Sequence, residues 1–290
     1  MASATRSSGL RPAVAARVPS RLERVTSVVV RASRYRGRYL HSLWLLSARD
    51  LRVRYSTSAL GYLWTVLDPL VMSVIYWFVF TQIFQRGGVG GEPYIVFLIA
   101  GLLPWVWFNS AVADFTKAFS KDARLVRSTA IPRSIWVNRI VLSKGVEFLV
   151  ATPVLVLFAV FAVPRVELNA LILLFPLGIV LQAVLLVGLG LLVAPLCALW
   201  GDLERTTRLI LRALFYASPV IYGLPDLPPP FRELAVFNPL SGVFVLYRSG
   251  LFADQWDAAA VAIGCAISLA LLALGVVVFR RLERAVLKEL

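Results

Sequence analysis

The 290-residue sequence is poor in the side chains that build most reaction centres. It holds one histidine, His41, and two cysteines, Cys197 and Cys265, each inside an apolar stretch and far from the other. Neither a metal-ligand spacing nor a disulfide framework can be assembled from so few, so both cysteines read as small apolar packing residues. The lysines are Lys117, Lys121, Lys144 and Lys288 alone, and none follows a glycine. The GxxxxGK[ST] loop that cradles nucleotide phosphates is therefore missing. A single histidine also leaves no Ser-His-Asp arrangement, so no catalytic and no metal site is expected. If such a chain does work, the energy comes from elsewhere.

What the chain has in quantity is apolar surface and positive charge. Hydrophobic residues make up 59% and the mean hydropathy is +0.78, against roughly 45–50% apolar residues in ordinary soluble domains. This composition is that of an integral membrane protein. Thirty Lys and Arg face 16 Asp and Glu, and the excess gathers before Tyr62, between Lys117 and Lys144, around 205–212 and after Phe279. Each cluster flanks an apolar segment. A nucleic-acid binder would need its basic face on a soluble fold, so nucleic acid is not expected as a partner.

A crossing helix needs about 20 mostly apolar residues. Six stretches qualify or come near: 62–84, 94–114, 135–163, 170–200, 207–222 and 257–279, the fifth being short. Charge placement agrees with that count. With both termini inside, the outer loops near 86–92, 164–169 and 223–256 are poor in basic residues, and the inner segments hold nearly all the rest. Residues 1–37 read as a disordered basic cytoplasmic tail, since the apolar run Val28–Val30 is too short for the core of a signal peptide. Residues 38–280 form the membrane domain, and 281–290 a cytoplasmic tail. The expected fold is an all-α integral membrane protein of six transmembrane helices.

Four segments carry more specific content. Residues 38–55 form an amphipathic helix with Leu40, Leu43, Trp44, Leu51 and Tyr55 on one side and Arg38, His41, Arg49 and Arg52 on the other. Such a helix lies in the plane of a membrane interface, as an anchor on anionic lipid or as a docking element for a cytoplasmic partner. The loop after the second span repeats the pattern at 100° per residue. Phe115, Ala118, Phe119, Leu125 and Val126 gather opposite Lys117, Lys121, Arg124 and Arg127, with Asp122 the exception. Ile131-Pro132 then bends the chain, making an elbow that either transmits a push from a soluble partner or only anchors the loop.

In the first span Tyr62, Thr65, Pro69, Ser73, Tyr76 and Phe80 share one face, opposite Trp64, Leu67, Val71, Met72, Ile75 and Phe78. The first face suits either a sugar path or a helix–helix interface. Pro69 leaves the Thr65 carbonyl without its helical donor and bends the span. Asp68 lies close enough to Gly61 to face headgroups or a wet cavity. The fifth segment opens with Arg205, Arg208 and Arg212 and continues on the same face through Phe215 and Tyr216. Arginine forks suit phosphate oxygens, so these three either admit a lipid headgroup or anchor the helix at the interface. Between the last two spans, short apolar pieces punctuated by proline suggest re-entrant or interfacial helices, as an outer gate or as a packed hairpin.

The run Arg49-Asp50-Leu51-Arg52-Val53-Arg54-Tyr55, with Leu60-Gly61-Tyr62-Leu63-Trp64 and Asp68-Pro69-Leu70, resembles the start of ABC-2 type permeases that export polysaccharide, O-antigen or teichoic acid. The likeness continues through Leu102-Leu103-Pro104-Trp105, Ile131-Pro132-Arg133, the 215–222 stretch and Phe237-Asn238-Pro239-Leu240. It covers about residues 36–280, and its specificity lies in the combination.

The resemblance implies a homodimer of six-span subunits in the bacterial inner membrane, carrying two copies of a separate ABC ATPase that binds ATP and magnesium. This chain itself then needs no cofactor. Phe119, Lys121, Arg124, Leu125, Val126 and Arg127 would form the coupling helix on that ATPase, with Trp44, Arg49 and Arg52 on the interface helix beside it. Tyr62, Thr65, Ser73, Tyr76, Phe80, Phe215 and Tyr216 would line the channel, and the pieces from Leu224 to Phe252 would form outer gate helices. The expected cargo is a lipid-linked polysaccharide. An ABC-2 permease for a drug or lipid is the alternative, and an ATPase-independent flippase or glycosyltransferase a more distant one.

Overall fold

The computed structural model describes residues 21–56, 60–83, 93–129, 131–162 and 165–289. Among them every regular element is helical. The chain divides into two compact units, residues 1–41 and 42–290; of the first, residues 21–41 are described and are helical.

The α-helices are α1 (Arg21–Tyr55), α2 (Trp64–Trp77), α3 (Tyr94–Phe115), α4 (Ala123–Ser128), α5 (Ile135–Phe161), α6 (Phe175–Leu199), α7 (Asp202–Ala217), α8 (Pro229–Val236), α9 (Pro239–Arg248) and α10 (Ala258–Glu289). Helix α1 starts upstream of residue 38, where the apolar stripe begins, and residues 1–20 of the expected tail lie outside the described residues. At the other end α10 runs through 281–289, expected as a tail. Leu282, Glu283, Arg284, Ala285 and Lys288 are good helix formers, so the last apolar segment simply continues as helix. Its 32 residues span about 48 Å, well beyond the roughly 30 Å of a bilayer core.

Among the described residues, five helices are long and apolar enough to cross a membrane: Trp64–Ile83, Tyr94–Phe115, Ile135–Phe161, Ala170–Leu199 and Ala258–Glu289. The stretch 207–222 is not among them. Its helix, α7, has 16 residues, about 24 Å at 1.5 Å per residue, and it carries three arginines. It ends at Ala217 because Pro219, lacking an N–H, cannot continue the ladder.

Helix α3 is apolar on every side up to Asn109 and is the centre of the bundle, as such a helix must be. Of its most apolar stretch 78% is buried, against 12% for the first span. It touches α2, α5, α6, α7 and α9. Gln182 donates 2.8 Å to the Pro104 carbonyl and accepts from the Tyr247 hydroxyl at 3.0 Å. Two spans and a short buried helix are thus joined through one satisfied polar network. Helices α6 and α10 meet at Gly188 and Gly275. A Cβ at 188 would stand 2.6 Å from the Leu272 backbone nitrogen, so only glycine allows the backbones this close.

The two short helices before α10 differ. Residues Leu240–Arg248 of α9 are all buried, and the Arg248 side chain donates to the carbonyls of Pro219 at 2.6 Å, Tyr222 at 3.1 Å and Phe97 at 3.3 Å, and also to that of Val220. Its guanidinium lies 3.7 Å over the Phe97 ring. By contrast, α8 packs Ala235 and half-buried Val236 inward and exposes Phe231 and Leu234, and Phe237 just past its end is exposed as well.

Candidate functional site

At the end of the bundle where α1, the 116–129 loop and the start of α5 meet, charge is organised into a lattice. Asp122, the acid on the basic side of the loop, accepts from Arg139 at 2.7 Å and from Arg49 at 3.1 Å. Arg139 also reaches Asp50 at 3.1 Å and lies 4.6 Å over the Trp136 ring. A second knot joins Arg54 to Asp114 at 2.7 Å and to Glu147 at 3.0 Å, with Lys144 on Glu147 at 2.9 Å. Arg139 and Lys144 are buried, so their carboxylates are what make their charge tolerable there.

The two aspartates of the first cluster titrate in opposite senses. Burial pushes the Asp50 carboxyl above its ordinary 3.8, outweighing the pull of Arg139. Burial works the same way on Asp122, but the hydrogen bond and charge of Arg139, with Arg49, outweigh it and hold that carboxyl below the usual range.

The loop itself follows the helical stripe. Phe119 and Val126 are buried, Phe119 against the Phe279 ring at 6.2 Å, and Leu125 is half-buried. Lys121, Arg124 and Arg127 are exposed. Phe119 and Val126, placed among the docking residues by resemblance, therefore seat the loop, and the three cations are its outward surface. On α1, Trp44 is 61% exposed and Arg52 is exposed, while Arg49 is engaged with Asp122.

The second site is an open groove of about 630 Å³ between α2 and α7, floored by α3. Tyr76 stacks on Phe215 at 5.9 Å, Trp105 meets Phe215 edge-on at 5.3 Å, and Tyr216 meets it at 5.1 Å. Arg208 and Arg212 line the same groove, with Asp68 and Asn109. Helix arithmetic explains the order: Phe215 lies one turn beyond Arg212 and two beyond Arg208. The groove thus has a cationic zone and an aromatic zone along one wall.

Other expected channel residues fall elsewhere. The buried Ser73 hydroxyl donates 2.7 Å to the Pro69 carbonyl, securing the helix beside the proline. Thr65 lines a separate cavity of about 280 Å³ with Arg54, Asp68, Lys144 and Glu147. Arg205 is exposed and does not line the groove. The side chains of Tyr62 and Phe80 lie outside the described residues. Trp105 and Asn109, which do line the groove, sit in a span whose apolar run gives no face a preference, and Asn109 is the available signal.

A profile of the ABC-2 type transporter family matches residues 41–252. The chain belongs to this family. It is 32% identical over 216 residues to an O-antigen export system permease protein RfbA of Klebsiella pneumoniae, covering 74% of this chain and 82% of that protein. It is 25% identical to the RfbA permease of Myxococcus xanthus, over 76% and 84% of the two chains. Against the polysialic acid transport protein KpsM of Escherichia coli the identity is 23%, over 71% and 79%. The ABC-2 match spans the residues of the lattice and of the groove alike.

Proposed function

We propose that this permease moves a lipid-linked cell-envelope polysaccharide outward across the bacterial inner membrane. A separate ABC ATPase, binding ATP and magnesium, drives it. The observation that carries this reading is the groove, where two arginines adjoin a cluster of four aromatic rings. A sugar–diphosphate–lipid presents matching parts in that order: an anionic link for the arginine forks and pyranose faces for the rings. The O-antigen and polysialic acid permeases it resembles support that cargo class.

The working unit is a homodimer of six-span subunits with both termini cytoplasmic. In it α7 and the 218–222 turn make the short fifth crossing, and α2 and α7 flank the path. Lys121, Arg124 and Arg127 meet the ATPase, one copy per subunit, while Trp44 and Arg52 hold α1 in the interface beside them. Arg205 rests among lipid headgroups at the mouth. At the outer end α9 is fixed by Arg248, leaving α8 as the part of the gate that moves. The test is co-purification with the ATPase after charge reversal at Lys121, Arg124 and Arg127. Loss of the complex with its ATPase activity is expected; unchanged recovery and turnover would overturn the docking surface.

A further inference from the structure

We propose that Glu204 is a positioning residue that links the 116–129 loop to the arginines of the groove. This rests on the reading of that loop as the ATPase dock and of Arg208 as a headgroup ligand. Lys117, in the loop, places its Nζ 3.1 Å from Glu204 Oε1. Arg208 Nη1 reaches the same oxygen. Glu204 sits in the first turn of α7, and Arg208, one turn on, lines the groove. Three side chains therefore form a continuous bridge from a docking surface to a cargo wall. Among the described residues it is the only ion pair between that loop and α7.

One carboxylate oxygen shared by two cations divides its charge between them. When the loop carries Lys117 away, the whole charge of Glu204 acts on Arg208. A glutamate four residues before a cation is the favourable order on a helix, so Arg208 is then held along its own helix and turned from the groove. With Lys117 in contact, as here, Glu204 is partly neutralised and its hold on the Arg208 fork is weakened, so an anionic ligand competes for that fork more easily. All three side chains are partly exposed, at 58%, 28% and 51%. Pairs this exposed are individually weak, so a small displacement exchanges them. The buried Arg139 cluster lacks that property, and it carries the loop's movement without taking part in the exchange.

The experiment uses the purified complex of the permease and its ATPase, with farnesyl diphosphate as the probe. Probe affinity is measured without nucleotide and with a non-hydrolysable ATP analogue. The wild-type complex is expected to differ between these states by about tenfold, inside the usual range of allosteric coupling. Glu204→Gln and Lys117→Gln should still bind the probe with that ratio collapsed to about one, and Lys117→Arg should keep it. A wild-type ratio in Glu204→Gln overturns the link.

Arg208→Ala addresses the headgroup reading separately, since it should weaken the probe in both states. Should Arg208→Ala bind normally, the headgroup reading falls and the link is decided by geometry alone. A Lys117→Cys/Glu204→Cys pair, in a chain with Cys197→Ala and Cys265→Ala, must then crosslink to different yields in the two nucleotide states. Equal yields overturn the link whatever Arg208 does.

Discussion

Arg139 and Arg208 both stand near the basic end of one bundle, yet the first has a side chain 3% exposed between two aspartates. The second is half exposed beside one glutamate. A guanidinium taken out of water needs partners where it stands, and Asp50 and Asp122 supply them for the two terminal nitrogens of Arg139, while its buried Nε has none. Those bonds also join α1, the loop and α5, so the pairing is architectural. Arg208 keeps most of its five donors open to whatever enters the groove. The same side chain is thus a rivet in one place and, in the function proposed above, a ligand in the other, and burial separates the two.

Removing the rivet should have the largest effect. Arg139→Met strands Asp50 and leaves Asp122 only the exposed Arg49, and breaking such a buried pair typically costs about 3–5 kcal/mol. A matching fall in the stability of the detergent-purified permease is expected on thermal unfolding, with loss of export; a variant as stable as wild type would dissolve the contrast. Next comes Arg208→Ala with Arg212→Ala. Stability should stay within about 0.5 kcal/mol of wild type, as for surface substitutions. Export of polymer to the cell surface should fall by about tenfold or more, the loss of one to two charge-assisted contacts.

Phe215→Leu probes the aromatic zone. It removes ring contacts with Tyr76, Trp105 and Tyr216, each about 0.5–1.5 kcal/mol, so a loss of stability should accompany a slower export rate in the same assay. The smallest effect concerns pH and separates the two aspartates. Asp122, held low, contributes stability that is present above the ordinary 3.8 and is lost as pH falls through its lowered value. Asp50, pushed up, contributes stability that is present below 3.8 and is lost as pH rises through its raised value. Thermal midpoints followed from neutral down through the carboxylate range should show Asp122→Asn weaker mainly at neutral pH. Asp50→Asn should be near wild type there and weaker only in acid; matching profiles for the two variants would refute the assignment.

Local periodicity made much of this legible in the sequence. The stripe of Phe115, Ala118, Phe119 and Val126 lies within one short segment, and its burial follows from helical spacing. The outward face of the first span, with Val71, Met72, Ile75 and Phe78, is legible for the same reason. The length of α7 was less so, because an apolar run through 222 conceals the stop that Pro219 imposes.

Long-range pairing lay beyond such reasoning. Asp50 and Arg139 are 89 positions apart, and Arg54 and Glu147 are 93 apart. Nothing in either neighbourhood names the other. The same holds for Arg248, whose acceptors are backbone carbonyls that carry no side-chain signal. A cation near or inside an apolar segment was the only available hint, and it says that a partner must exist without saying which.

The crossing of α6 and α10 bears on how this permease can be adapted. Where Gly188 and Gly275 bring main chain against main chain, no rotamer remains to absorb a change, so that pair of helices acts as a stator. If the groove is the cargo path proposed above, diversity in cargo is written on α2 and α7, whose facing residues have room to vary. Libraries aimed at a wider glycan repertoire should therefore randomise the groove positions and leave the glycine crossing untouched.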